Sequence, residues 1–299
     1  MNIGALTRPF RVTGGRKFRL DDHPPDARGG LDIGKAEAKA LLAAGTDRLA
    51  ALQNLLYADG RWALLLIFQG MDASGKDGAI RHVMAGLNPL GCQAYSFRAP
   101  SEEERAHDFL WRHACRLPER GRIGIWNRSA YEEVLVVRVH PELLRGQKLP
   151  ERLIGKRIWQ ERLEDIAAFE RHLARSGTVI LKFFLHISRE EQKRRFMERL
   201  EMPRKHWKFD RADIEERAHW DAYMAAYEEA IRATAAPHAP WFVLPGDRKW
   251  FSRAVILAAV VKALEGLDLR FPEVPDEKMR EIEAARHRLA AEDGEASAA

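Results

Sequence analysis

Short apolar runs alternate along the chain with longer stretches in which apolar residues recur every three or four positions. Leu64 to Phe68, Arg122 to Trp126, Val179 to Ile187 and Trp241 to Leu244 read as buried strands, with a weaker one at Ala94 to Phe97. Helical spacing marks Leu41 to Tyr57, Ala79 to Leu87, Pro150 to Leu173 and the segment up to Leu200. Strand and helix in alternation predict an α/β fold, a parallel sheet of about five strands with helices on both faces. Ligands of such sheets sit beyond the carboxyl ends of the strands.

The ends differ from this pattern. Residues 1–32 carry Gly14-Gly15, Pro24-Pro25 and Gly29-Gly30 among polar residues, which predicts an irregular arm on the surface. The alternating part covers 33–268, and 269–299 is a charged tail in which Pro272 and Pro275 break the chain before a helical stretch from about Glu277. Hydrophobic residues at 46% and charged residues at 31% exclude a disordered or collagen-like chain. The longest uncharged apolar run, Ala254 to Val261, is far short of the roughly 18 residues that cross a bilayer. No signal-like stretch opens the sequence, and two cysteines cannot make a disulfide framework, so a cytoplasmic location is expected. Cys92 and Cys115 read as buried filler, and the 11 histidines show no zinc-binding spacing. An excess of 49 basic over 44 acidic residues favours an anionic partner.

Candidate chemistry starts directly after the first strand. Gly70-Met71-Asp72-Ala73-Ser74-Gly75-Lys76-Asp77-Gly78 fits G-x-x-x-x-G-K, with Asp77 where Ser or Thr is usual. Glycines let the backbone approach a phosphate, successive N–H groups face it, and the next helix directs its positive end there. Gly70, Ala73, Ser74, Gly75, Asp77 and Gly78 are therefore phosphate-binding candidates, and Lys76 adds a mobile charge on the transferred group. Two acids in such a cradle, Asp72 and Asp77, suggest a metal held partly by the loop. Asp77 alternatively caps the following helix.

A second constellation, Asn127-Arg128-Ser129-Ala130-Tyr131-Glu132-Glu133, stands at the end of another buried strand. Asn127 is neutral where an acidic magnesium ligand is usual, which leaves Glu132 to supply the charge. Arg128 is a planar second phosphate clamp or, alternatively, a partner of Glu132 or Glu133 in a surface ion pair. Arginines crowd the preceding region, Arg112 among them. A third basic stretch follows the Val179 strand, where Arg195 and Arg199 share a helix face and Lys205 and Lys208 continue the run. A solvated charged face is the competing reading, favoured by Glu190, Glu191, Glu198 and Glu201.

Taken together, GMDASGKDG at 70, SEEERAHDFLWR at 101, NRSAYEEVLVVRVH at 127, HISREEQKRRFMERLEMPRKHWKF at 186 and PWFVLPGDRKW at 240 resemble the polyphosphate kinase family 2. The resemblance spans most of residues 30 to 265. It implies a P-loop kinase fold with a helical basic lid, about 188–225, and phosphoryl transfer between inorganic polyphosphate and nucleotides. It implies catalytic roles for Asp72, Lys76 and Arg128, and magnesium or manganese held by Asp72 and Glu132. Polyphosphate contacts fall on Arg112, Arg195, Arg199, Lys205 and Lys208. Many members begin the second block with Asp. Asn127 together with Glu132 resembles the subgroup that accepts both nucleoside mono- and diphosphates, so these two residues are the expected acceptor-specificity positions. Relatives are often dimers or tetramers, and neither nucleic acid nor membrane is an expected partner.

From the residues alone two other classes stay open. The glycine-lysine loop supports an ATP-dependent nucleotide or small-molecule kinase equally well, although one triphosphate does not need so many arginines. A nucleic-acid-binding ATPase would use the basic lid, but no RNA or DNA motif accompanies it, and Trp207, Trp220 and Trp250 read as core or lid packing.

Overall fold

The computed structural model describes residues 3–31 and 33–296. Six strands form one sheet: β1 (Arg11–Val12), β2 (Ala63–Gln69), β3 (Cys92–Ser96), β4 (Ile123–Asn127), β5 (Thr178–His186) and β6 (Trp241–Pro245), in the order β1-β6-β5-β2-β4-β3. All pairs are parallel except β1 with β6. Helices longer than eight residues are α1 (Lys35–Asp59), α2 (Lys76–Met84), α3 (Ile158–Arg175), α4 (Arg189–Glu201), α5 (Trp220–Thr234), α6 (Lys249–Glu265) and α7 (Asp276–Ala296). The loop that follows β2 lies at the centre of the sheet, between β4 and β5, where the strand order reverses.

Side-chain alternation divides the core into two layers. Leu64, Leu66 and Phe68 of β2 join Phe183 and Leu185 of β5, Phe242 and Leu244 of β6, and the inner faces of α1, α2 and α6. Leu65 and Ile67 point the other way, with Trp126 and Ile180. Farther along that second face, Phe184, Trp241 and Val243 meet Leu163 and Ile166 of α3 and Tyr223, Tyr227 and Ile231 of α5. Every residue of β2 is buried, as a central parallel strand covered on both faces requires.

Several sequence expectations need correction. The sheet has a sixth strand, because residues 11–12 pair antiparallel with β6, Arg11 opposite Phe242 and Val12 opposite Trp241. The N-terminal segment is packed rather than loose on the surface: Leu6 and Phe10 enter one core layer, and Val12, Phe18 and Leu20 the other. Its apolar residues are too irregularly spaced to show a period. Helix α2 begins at Lys76 rather than Ala79, and α3 at Ile158 rather than Pro150, since residues 141–147 and 151–153 form tight 3-10 turns. The basic segment ends before α5, whose Trp220 and Tyr223 are core residues. Trp207 is 78% exposed, not packed. Cys115 is exposed, and Cys92 is half-buried against the Gln53 amide.

The described residues up to Leu269 form one compact unit and those from Arg270 onward a second. The second unit contains α7, a helix with mixed charge and exposed Met279, Ile282 and Leu289.

Candidate active site

The phosphate loop is built where β2 stops. Gly70 has φ +151 and Gly75 φ +108, and a Cβ on Gly70 would stand 2.8 Å from Ser74 Oγ and 3.0 Å from the Leu185 carbonyl. Only glycine fits there. Ala73 at φ 60 and Arg128 at φ 67 also adopt the left-handed region, unusual for residues with a side chain. The Arg128 amide donates to Phe68 O at 3.0 Å, which ties the end of β4 to the end of β2.

Lys76 is 8% exposed, and its ammonium donates to Gly70 O at 2.6 Å and Met71 O at 3.1 Å. Burial pushes its pKa down to about 8; Arg128 pushes the same way, against Asp72, Glu132 and Asp77. Arg128 donates to Asp72 Oδ1 at 2.7 Å and to Glu132 Oε2 at 2.8 Å. Glu132, and after burial's opposing effect Asp72, hold the guanidinium above its usual pKa. The ion pair with Glu132 is thus present, but it is half of a three-residue bridge that also takes the loop acid. Asp77, in the first turn of α2, accepts from Asn127 Nδ2 at 2.9 Å. Asn127 Oδ1 is buried with no protein partner.

Arg128 stands between two cavities. The first, about 600 Å³, runs over the loop and below the basic helix, and is lined by nine cationic side chains against three acidic ones, Asp72, Asp77 and Glu198. Arg199, Lys205 and Lys208 line it, as do Arg81, Lys249 and Arg253, which sequence reasoning did not single out. Lys249, at the start of α6, has its pKa lowered to about 8 by burial and then by Arg195. The second cavity, about 640 Å³, lies beyond β3 and β4 and mixes Arg98, Arg105 and Arg112 with Val136, Val137 and Leu143. Glu132 faces this one, while Asp72 faces the first.

Two assigned residues stand differently from expectation. Arg195 is 4% exposed, and every guanidinium nitrogen is engaged: Nε with Glu191 at 2.7 Å, Nη1 with Ala73 O at 2.9 Å and Ser74 O at 2.7 Å, Nη2 with Gly246 O at 2.6 Å. It is a strut that joins α4 to the loop and to the end of β6. Arg112 lines the second cavity rather than the first; it donates to Arg98 O at 2.9 Å and lies over the Phe97 ring. Arg199 and Lys205 are held by Asp213 and Glu198. Gln192, a buried amide on α4, donates to Asp72 O at 2.9 Å. Its only sequence signal was a polar residue inside a charged helix.

Residues 32–272 match the family described as Polyphosphate kinase 2. The chain belongs to the polyphosphate kinase 2 family. It is 46% identical over 284 residues to an ADP-polyphosphate phosphotransferase of Rhodopseudomonas palustris, covering 95% of this chain and 98% of the relative. It is 44% identical over 266 residues to an AMP/ADP-polyphosphate phosphotransferase of Meiothermus ruber, covering 89% and 96%. The crystal structure of polyphosphate kinase 2 from Arthrobacter aurescens superposes with a TM-score of 0.84 at 40% identity, covering 94% of this chain and 95% of that one. The fold is that of the P-loop kinases to which this family belongs. As a polyphosphate kinase 2, the chain is a transferase that acts on phosphoryl groups.

Proposed function

We propose that this enzyme moves the terminal phosphoryl group of inorganic polyphosphate to ADP, to AMP or to both. The observation that carries the reading is Arg128 between the two cavities. A channel with nine cations suits a polyanionic chain; a cavity with arginines and apolar walls suits a nucleotide. A nucleotide phosphate oxygen attacks the terminal phosphorus, the bond to the bridging oxygen breaks, and the shortened chain departs in the first cavity.

Phosphoryl transfer asks the protein for position and charge rather than covalent help. Lys76, now folded onto the Gly70 and Met71 carbonyls, would turn to the transferring group. Arg128 would exchange its carboxylate partners for phosphate oxygens from both sides, keeping the two substrates in line. Arg199, Lys205 and Lys208 would leave their present partners to follow the polymer.

Among the described residues no cluster of three or more acidic, histidine or cysteine side chains stands ready to hold a metal. The donors present nonetheless fit magnesium: hard oxygens on Asp72, Asp77 and Glu132, and the unpartnered Asn127 Oδ1. Magnesium usually takes one or two carboxylates and completes its shell with substrate phosphates. Asp72 is its principal holder in this reading, with Glu132 second; bound there, it neutralises charge on the phosphates. No helix among the described residues is long and apolar enough to cross a membrane. The reading places the enzyme in the cytoplasm as a homo-oligomer.

The test is ATP formation from ADP, and separately from AMP, with long-chain polyphosphate, magnesium and no other donor. Product from polyphosphate is the expected result. Turnover only with ATP as donor would replace this reading with an ordinary kinase.

A further inference from the structure

We propose that His82 is a positioning residue for the phosphoryl donor: its neutral imidazole holds Arg253 toward the first cavity without cancelling the charge that Arg253 presents there. This rests on the first cavity being the polyphosphate site. Arg253 reaches from α6 to the first turn of α2 and lines the cavity together with Arg81 and Lys249. Its Nη1 donates to His82 Nε2 at 3.0 Å, and His82 Nδ1 donates in turn to Gly78 O at 2.8 Å.

Which ring nitrogen of a histidine carries the proton is ordinarily an assignment. Here the two partners decide it. A guanidinium has only donors, so Nε2 must offer a lone pair; a carbonyl only accepts, so Nδ1 must carry the hydrogen. One neutral tautomer satisfies both contacts, and the other satisfies neither. Gly78 completes the seat, because a Cβ there would stand 3.1 Å from Arg253 Nη2 and push the guanidinium off. The glycine-lysine pattern sets no requirement at that position. The approach of Arg253 does.

A neutral partner sets Arg253 apart from the cations on the opposite wall. Arg199 is paired with Asp213 and Lys205 with Glu198, so an arriving polyanion must displace a carboxylate from each. Among the described residues no carboxylate pairs with Arg253. Burial lowers its pKa, and Arg81 and Arg195 add to the fall, as a cation set among cations requires. Phosphate oxygens would relieve that repulsion. His82 engages one N–H of the guanidinium, and the rest remain for the polymer.

The test is a double-mutant cycle on the full chain, read as kcat and as KM for polyphosphate at a saturating nucleotide acceptor. His82→Leu keeps bulk but offers no lone pair, and should raise the KM about three- to tenfold while kcat stays within about twofold. Arg253→Met should raise the KM at least as much. Because His82 acts through Arg253, the double variant should match Arg253→Met to within about twofold. His82→Gln puts a neutral amide oxygen near the place of Nε2 and should recover part of the loss. The inference is overturned by a KM raised less than about threefold in His82→Leu, or by a double variant more than about twofold worse than Arg253→Met. A loss confined to kcat, or His82→Gln no better than His82→Leu, overturns it equally. Should Arg253→Met fail to fold, the Leu and Gln variants at His82 decide the matter. Should the wild type transfer nothing from polyphosphate, the donor reading falls by itself, and the same cycle on the KM for ATP as donor decides whether His82 seats Arg253.

Discussion

Arg195 offers the sharpest separation between a ligand contact and a structural strut. Replacing it with Met keeps much of the side-chain volume but removes the donors to Ala73 O, Ser74 O and Gly246 O, and the partner of Glu191. A carbonyl that loses a buried donor costs about 1 to 3 kcal/mol. The loop borders an open cavity, so water will reach part of what is exposed, and the low end applies to each of the three. The sum is about 3 kcal/mol, and Glu191 adds little because it keeps Arg194. At about 2 to 3 °C per kcal/mol for a chain of this size, the melting temperature should fall by about 6 to 9 °C. Arg199→Met is the control. Its partner Asp213 is partly exposed, and such pairs contribute about 0 to 1 kcal/mol, so its melting temperature should barely move. Differential scanning fluorimetry and the KM for polyphosphate, measured on both variants, decide the matter. A melting temperature within 2 °C of wild type for Arg195→Met, with only the polyphosphate KM raised, would refute the strut and return Arg195 to direct contact with the polymer.

Other expectations follow from the same geometry. Lys76→Ala should lower kcat by about a hundredfold or more, the usual cost of removing a preorganised charge from a transition state; near-wild-type turnover in a steady-state assay would exclude it from the chemistry. Glu132→Asn should depress AMP use more than ADP use, because Glu132 is the Arg128 partner on the acceptor side, and equal loss on both acceptors counts against that role. Lys76 and Lys249 are cationic below about 8 and neutral above it, so kcat/KM for polyphosphate should fall as pH rises through that value. Lys249→Gln should make the fall shallower, which a pH profile at low polyphosphate will show. The polyphosphate KM should also rise steeply with salt, as for any polyanion held by several cations.

What could be read from the sequence was local. A buried strand, a glycine-lysine turn and a helix lie within about 20 consecutive residues, so 64–84 revealed both fold and phosphate site. The roles of the lid arginines depended on direction, which composition does not carry. Arg195 and Arg199 share a helix face, yet one turn of difference in depth puts the first against three carbonyls and the second near the channel. Lys249 and Arg253 reach the channel from α6, more than 170 residues after the loop, and no spacing rule connects them. β1 was hidden for another reason: two residues are too few to alternate visibly, and only pairing with β6 makes them a strand.

The turn that carries Arg128 is anchored from beneath, and this explains how one residue can face two cavities without drifting into either. Tyr131, three positions on, is 1% exposed, and its hydroxyl donates to Glu170 Oε1 at 2.8 Å and accepts from Lys182 Nζ at 3.0 Å. Lys182 in turn meets Glu170 Oε2 at 2.5 Å and Thr234 O at 2.9 Å, wholly away from water. A buried pair of this kind is a poor source of net stability, because desolvation offsets the attraction. Its value lies in the number of elements it fixes: β5, α3, the end of α5 and the Arg128 turn all close on one hydroxyl. The Arg128 backbone is pinned from the other side by Phe68 O. With both flanks of the turn held, only the side chain is free to exchange Asp72 and Glu132 for phosphate oxygens. The short bridge those two acids form across Arg128 keeps its guanidinium centred between the cavities before either substrate arrives.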